Sequence, residues 1–165
     1  MQTILVVCTA NICRSPMAAA LLSQRVAHLG LSDQVRVLSA GVWAQEGQKA
    51  SEDAVATLAN KGISLADHRS HAVTTALLGQ ADMVLVMEER HRRSLFYLAP
   101  QHLGKVFLLS EMAGQHDDVA DPYGSTLEDY ARTVTLLETL IDAGMSRIVK
   151  RLGITPRHAA DTSAA

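Results

Sequence analysis

The sequence predicts an α/β fold: a single four-stranded parallel sheet flanked by helices on both faces. Three observations carry this expectation. Four short apolar runs of strand length recur along the chain, at Thr3–Val7, Val35–Leu38, Met83–Met87 and Lys105–Leu109. Segments with helical spacing of apolar residues separate them, the alternation expected of parallel strands joined by crossover helices. The first run also passes through a tight loop straight into Pro16 and an Ala/Leu-rich stretch, a strand–loop–helix sequence.

Each element has a local reason. Pro16 belongs in the first turn of its helix, where a missing N–H costs little. Ala18, Leu21, Leu22 and Val26 carry that helix to a stop at Gly30. The second strand ends at Ser39-Ala40-Gly41, and residues 42–49 form a loop. Ser51 caps a helix whose first turn holds Glu52 and Asp53, acids that suit the dipole there, and which ends near Lys61-Gly62. Thr74–Gln80 is a short helical stretch, Glu88–Leu98 a charged helix before Pro100, and Ser110–Tyr123 a long acidic loop. Ser125-Thr126-Leu127-Glu128 reads as a capping box opening the last helix, with Val134, Leu137, Leu140 and Ile141 on its apolar face.

The 165 residues are most simply one domain, 1–152, followed by an Ala-, Thr- and Ser-rich tail, 153–165, expected to be flexible. A net charge of −2 gives no bulk attraction to nucleic acid or to an anionic membrane, so any anion site must come from local geometry. No apolar run approaches the roughly 20 residues that span a bilayer. The N-terminus lacks a basic segment, apolar stretch and cleavage site, so no secretory signal is read there. Two cysteines make no disulfide framework, and a reducing cytoplasm is the expected setting.

The chemistry concentrates in the loop Thr9-Ala10-Asn11-Ile12-Cys13-Arg14, with Cys8 at its start and Ser15 at its end. A loop feeding a helix N-terminus aims backbone N–H groups inward and binds anions, phosphate above all. The same field favours thiolate at Cys8. Arg14 carries a planar fork that pairs with two phosphate oxygens. A cation at a helix start opposes the dipole, and an anion in the loop would resolve that conflict. Together these groups point to phosphate-ester chemistry through a cysteinyl-phosphate. Ser15 either caps the helix or donates to the Cys8 sulfur, or does both. Asn11 is among the few non-glycine residues that tolerate a left-handed backbone. Cys13 is either a small core residue or a partner that traps oxidised Cys8 as a disulfide.

Such a mechanism needs a proton donor for the leaving group and then a base for water, roles that one carboxyl group can fill. Asp117, Asp118 and Asp121 are the candidates in the acidic loop. Asp121-Pro122-Tyr123 stands out because Pro122 stiffens the backbone beside the carboxylate and Tyr123 adds an aromatic face. His68-x-x-His71 and His116-Asp117-Asp118 have loose spacings that close no metal-ligand set, so no metal is expected.

At these residues the chain resembles the low-molecular-weight protein tyrosine phosphatases. Val7 to Pro16 matches their signature loop, and Asp121-Pro122-Tyr123 their general-acid loop. The resemblance runs from about Gln2 to Leu152 and includes Ser39-Ala40-Gly41 and the stretch from Asp82 through Met87 to His91. It implies Cys8 as nucleophile, Arg14 as phosphate clamp and Asp121 as general acid, then base. It also implies that Ser15 assists the thiolate, that Asn11, Ser39 and His68 hold the loop in shape, and that Tyr123 walls the substrate cleft. Family members use no metal or organic cofactor.

The family usually has Gly where this chain has Ala10, whose Cβ would crowd the loop. Trp43 falls in a variable segment and either lines the cleft or packs under the loop. The stretch from Glu89 to Val106 looks most like the bacterial branch, which often acts on tyrosine autokinases of exopolysaccharide export. That implies a tyrosine-phosphorylated protein as partner. Two rivals share the loop. An arsenate reductase of the same fold needs further cysteines downstream, and none follows Cys13. A non-catalytic phosphotyrosine-binding or redox-sensing module would need no proton donor at Asp121.

Overall fold

Ile4, Leu5, Val6 and Val7 are all but closed to solvent, so the first strand needs cover on both faces. The computed structural model describes residues 1–157 and supplies that cover. Strands β1 (Gln2–Cys8), β2 (Val35–Gly41), β3 (Met83–Val86) and β4 (Val106–Leu108) form one all-parallel sheet in the order β2-β1-β3-β4. The helices are α1 (Arg14–His28), α2 (Glu52–Ala59), α3 (Thr75–Gln80), α4 (Glu89–Leu98), α5 (Leu109–Met112) and α6 (Leu127–Leu152).

Alternation along β1 divides the core in two. Ile4, Val6 and Cys8 meet Met17, Leu21 and Leu22 of α1 and Val134, Leu137, Leu140 and Ile141 of α6. Leu5 and Val7 meet Leu78 of α3 and Leu95 of α4 on the opposite face. Full burial of each such side chain stabilises by about 1.5–3 kcal/mol. The end of β1 is thereby held rigidly between layers, at the carboxyl edge where parallel sheets bind ligands.

The elements follow the sequence with local differences. Met87 leaves the third strand because its C=O takes the N–H of Val119 at 2.8 Å, although its own N–H still bonds Val7 O. Pro100–Lys105 forms a 3-10 turn where no element was expected. The acidic loop is not all loop. Leu109 and Met112 are buried, and α5 packs so closely on α6 that a Cβ at Gly144 would lie 2.8 Å from the Met112 Cβ. Ser110 Oγ then donates to the Asp117 C=O (2.7 Å) and accepts its N–H (3.0 Å), which leads the chain back under the sheet edge. The capping box sits one residue later than expected. Thr126 Oγ1 accepts the Asp129 N–H at 3.1 Å, whereas the Ser125 hydroxyl is taken by the Pro122 carbonyl.

Gly153 ends α6 in the left-handed region, with φ 65°. Beyond it, Ile154 packs on the core, the Thr155 C=O accepts from Gln34 Nε2 and Arg157 pairs with Asp33 at 2.6 Å. The rest of the tail expected to be flexible, 158–165, lies outside the described residues.

Gly41 ends β2 directly beneath the loop after β1. A Cβ there would stand 2.5 Å from Thr9 O and 2.9 Å from Asn11 N, both backbone atoms that cannot swing aside. Gly41→Ala should therefore destabilise by about 2–3 kcal/mol through overpacking. Urea unfolding should show a lower midpoint at unchanged m-value, and an unchanged midpoint would contradict this packing.

Candidate active site

The loop is shaped from below. Val42 N–H bonds Cys8 O (3.0 Å) and Trp43 N–H bonds Thr9 O (2.8 Å), so β2 carries the loop's first half. Asn11 then turns the chain with φ 58°, the one positive φ outside glycine among the described residues. Ala10 therefore keeps an ordinary backbone, and its Cβ imposes no conformational strain where the family usually has Gly.

Asn11 is fully buried and holds the turn with both side-chain polar atoms and its carbonyl. Its Nδ2 donates to Ser15 Oγ (2.8 Å) and Ser39 Oγ (2.9 Å), and its Oδ1 accepts the His71 N–H (2.9 Å). Its C=O lies 2.7 Å from His68 Nε2; a carbonyl only accepts, so that nitrogen carries the proton. Burial lowers the His68 pKa and the bond to Asn11 opposes this, with the net shift downward. Asn11, Ser15, Ser39 and His68 thus meet in one network. Ser15 is inside the first turn of α1 and not its cap. The residue before the helix is Cys13, with no side-chain cap bond. Ser15 Oγ instead lies 2.9 Å from Cys8 Sγ.

Arg14 is 1% exposed, and the protein supplies its counter-charge. Nη1 meets Glu88 Oε2 at 2.8 Å and donates to the Val119 C=O at 2.8 Å. Nη2 faces Thr9 Oγ1 (3.3 Å) and Asp121 Oδ2 (3.5 Å). Burial would raise the Glu88 carboxyl, but hydrogen bonds from Arg14 and Arg90 outweigh it and hold the pKa below the ordinary range. Sequence reasoning missed Glu88 as a partner of Arg14. Its signal was position, a carboxylate at the carboxyl end of a buried strand.

His91 was also missed as a site residue. Glu88 N–H donates to its Nδ1 (3.1 Å), so the neutral ring carries its proton on Nε2 and donates to Thr9 Oγ1 at 2.9 Å. Burial first, then the Arg14 charge, pushes its pKa down to about 4. Arg90 Nη2 reaches the same Thr9 hydroxyl at 3.1 Å.

A cavity of about 330 Å³ opens over the loop, lined by Cys8, Thr9, Ala10, Ile12, Cys13, Arg14, Asp121 and Tyr123. Asp121 Oδ1 accepts the Tyr123 N–H at 3.0 Å, and both residues line the cavity. Trp43 does not line this cavity and does not pack under the loop; it is 81% exposed in the adjoining groove. Cys13 Sγ lies 3.2 Å from Tyr130 Oη and 3.4 Å from Ser51 Oγ. Burial pushes its thiol up, against the hydrogen bonds to Ser51 and Tyr130. Both cysteines are free. The histidines considered for metal are not gathered. His71 pairs with Glu46 (3.0 Å), and His116 lies with Glu89 and Glu111, where Arg92 neutralises the carboxylates.

A depressed histidine pKa makes stability pH-dependent in a definite direction. Between pH 6.5 and about 4 the unfolded chain binds a proton that folded His91 refuses, so stability falls on acidification through that window. His68 acts in the same sense. His91→Gln should lose less stability than the parent between pH 7 and 4.5, by on the order of 2 kcal/mol. Parallel pH dependences in urea titrations of the two proteins would refute the assignment.

Comparison with known proteins agrees with this geometry. The family model for low molecular weight phosphotyrosine protein phosphatase matches residues 3–153. The probable low molecular weight protein-tyrosine-phosphatase EpsP of Ralstonia nicotianae is 39% identical, over 89% of this chain and 96% of that protein. A protein-arginine-phosphatase of Bacillus subtilis is 41% identical, over 84% of this chain and 91% of its own length. The structure of the tyrosine phosphatase Wzb from Escherichia coli K30 in complex with sulphate superposes with a TM-score of 0.80 at 33% identity, covering 89% of this chain and 98% of that one. The chain belongs to the low molecular weight phosphotyrosine protein phosphatase family.

Proposed function

We propose that this phosphatase hydrolyses protein phosphotyrosine, and small aryl phosphates, through a cysteinyl-phosphate formed on Cys8. The observation that carries the reading is the meeting of Cys8, Arg14 and Asp121 in the walls of one cavity. The Cys8 thiolate attacks phosphorus in line while Asp121 gives its proton to the departing phenoxide. Water, deprotonated by Asp121, then attacks the cysteinyl-phosphate and releases inorganic phosphate and the thiolate. Ser15 Oγ, 2.9 Å from Cys8 Sγ, donates to sulfur as attacker and as leaving group.

Arg14 can serve because half of its fork is spent on orientation. Nη1 is fixed by Glu88 and Val119, and Nη2 faces the cavity beside Asp121. An arriving phosphate dianion takes up the Arg14 Nη2 that faces Asp121. Loop N–H groups and the start of α1 hold the remaining oxygens.

Relatives act on phosphotyrosine or phosphoarginine by name, and the cavity wall favours tyrosine. Ala10, Ile12 and Tyr123 offer apolar surface that suits a flat aryl ring. Asp121 is the one carboxylate among the lining residues, so a guanidine leaving group would find a single anionic partner there. The substrate is then a tyrosine-phosphorylated protein of the cytoplasm, a bacterial tyrosine autokinase of exopolysaccharide export being the class that the family resemblance suggests. An arsenate-reducing thiol relay is disfavoured, since Cys8 and Cys13 are the only cysteines of the chain.

The deciding measurement is kcat/KM on matched phosphotyrosine, phosphoarginine and phosphoserine peptides, with phosphotyrosine expected to lead; a phosphoarginine preference would overturn the substrate. Cys8→Ser should abolish turnover. Arg14→Lys should lower kcat by roughly 100-fold or more, because an ammonium cannot reproduce the two-point contact. Asp121→Asn should lower kcat by about 100-fold or more, most for poor leaving groups. Unchanged turnover by Asp121→Asn would remove it as the acid. Chelators should leave the rate unchanged.

A further inference from the structure

Resting on the phosphatase reading above, we propose that a groove along α4 binds the polypeptide segment next to the phosphorylated residue, and that it selects an acidic residue near that site and an aromatic or large apolar residue about three positions further on. Thr9 is the joint. It walls the Cys8 cavity and also a second hollow of about 310 Å³ lined by Trp43, Arg90, His91 and Ser94. Through Val42, Trp43 and Ser94 that hollow runs into a third, of about 420 Å³, walled by Val73, Tyr97 and Leu98. Shared wall residues thus set the three hollows in succession, from the Cys8 cavity to the far end of α4.

The path is not surfaced like the rest of the molecule. Trp43 is 81% and Tyr97 78% exposed, facing a common hollow with half-exposed Leu98. Exposed aromatic surface gathered in one groove marks a binding face. Arg90, Ser94 and Tyr97 recur at i, i+4 and i+7, so one face of α4 lines the groove. The site end of that face is basic. Arg90 is exposed and shares the single Glu88 carboxylate with Arg14, and exposed Arg93, one turn further on, makes no salt bridge among the described residues, so a net positive charge remains. The far end is apolar. At 1.5 Å rise per residue, Tyr97 lies about 10 Å beyond Arg90 along the helix, a length that about three residues of extended chain cover. A segment tethered by its phosphorylated side chain in the cavity has the reach and, with an acid near Arg90 and Arg93, the charge to fill it.

The test compares para-nitrophenyl phosphate with phosphotyrosine peptides of stepwise length, using the parent enzyme and two surface variants, Tyr97→Ala/Leu98→Ser and Arg93→Ala. For the parent, kcat/KM should rise by roughly 10-fold, mostly through KM, once a peptide extends three residues on one side and carries the acidic and aromatic positions. Tyr97→Ala/Leu98→Ser should lose that gain, Arg93→Ala should lose the part due to the acid, and both should hydrolyse para-nitrophenyl phosphate within about twofold of the parent. A gain that survives in Tyr97→Ala/Leu98→Ser, or no gain with length, would overturn the groove while leaving the phosphatase reading intact. A parent that turns over none of these substrates would instead overturn the phosphatase reading, and the groove with it. Sedimentation of both proteins covers the other occupant. A dimer lost in Tyr97→Ala/Leu98→Ser with peptide turnover unchanged would assign the face to a second copy and refute the proposal.

Discussion

A guanidinium buried to 1% exposure is the constraint on which the rest of this structure depends. Arg14 begins α1, where its charge opposes the helix dipole. Glu88, on the loop after β3, answers it at 2.8 Å, and the Val119 carbonyl takes a second N–H. Removing one partner of such a pair typically costs about 3–5 kcal/mol, because a charge is left uncompensated in a low-dielectric site. Three chain segments remote in sequence must therefore converge before the cation can be buried. The sheet order places the ends of β1 and β3 side by side, and Ser110, through both backbone groups of Asp117, brings Val119 in beneath them.

The same economy of charge explains His91. A protonated imidazole would be a third cation beside Arg14 and Arg90, with one shared carboxylate, Glu88, between them. Burial and the Arg14 charge keep the ring neutral, so it spends its one proton on Thr9. Thr9 then stands as a common acceptor for His91 and Arg90, and α4 is tied to the loop by hydrogen bonds instead of by repulsion. Asn11 plays the complementary part on the β2 side, where neutral donors and acceptors fix the turn without adding charge. The loop thus has an electrostatic wall and a neutral wall, and the cation that faces its cavity is held from the electrostatic side.

Legibility in the sequence followed the range of the interactions. Apolar runs and helix punctuation are local, and they located the four strands and the principal helices to within a few residues. The site loop was readable because its chemistry, from Cys8 to Ser15, is contiguous. Asp121 was singled out by asking what proton donor such a loop requires, and it lies in the wall of the Cys8 cavity. Glu88 and His91 were not read as parts of the site; Glu88 stands just past the end of a buried strand, but nothing local says that a buried guanidinium will face it. Their role exists only once β3 lies beside β1. The capping box slipped by one residue for a similar reason. Ser125 and Thr126 are equivalent locally, and the Pro122 carbonyl, placed by the turn, decides between them.

The division of labour in the cavity bears on how one scaffold serves relatives named for tyrosine and for arginine phosphatase activity. In the proposed mechanism the loop N–H groups and Arg14 contact only the phosphoryl group, which is the same in either substrate, and the Asn11 network only supports the loop. Discrimination must come from atoms that touch what lies beyond the bridging atom. In the reading proposed above those are Ile12 and Tyr123 in the cavity wall and, past Thr9, the exposed surface of α4. Ile12, Tyr123, Tyr97 and Leu98 make no side-chain hydrogen bond or salt bridge to Arg14 or Asn11 among the described residues, whereas Arg90 and His91 belong to the wall that holds Thr9. The former can therefore vary without disturbing the loop, and the loop's rigidity is what makes small differences among them count.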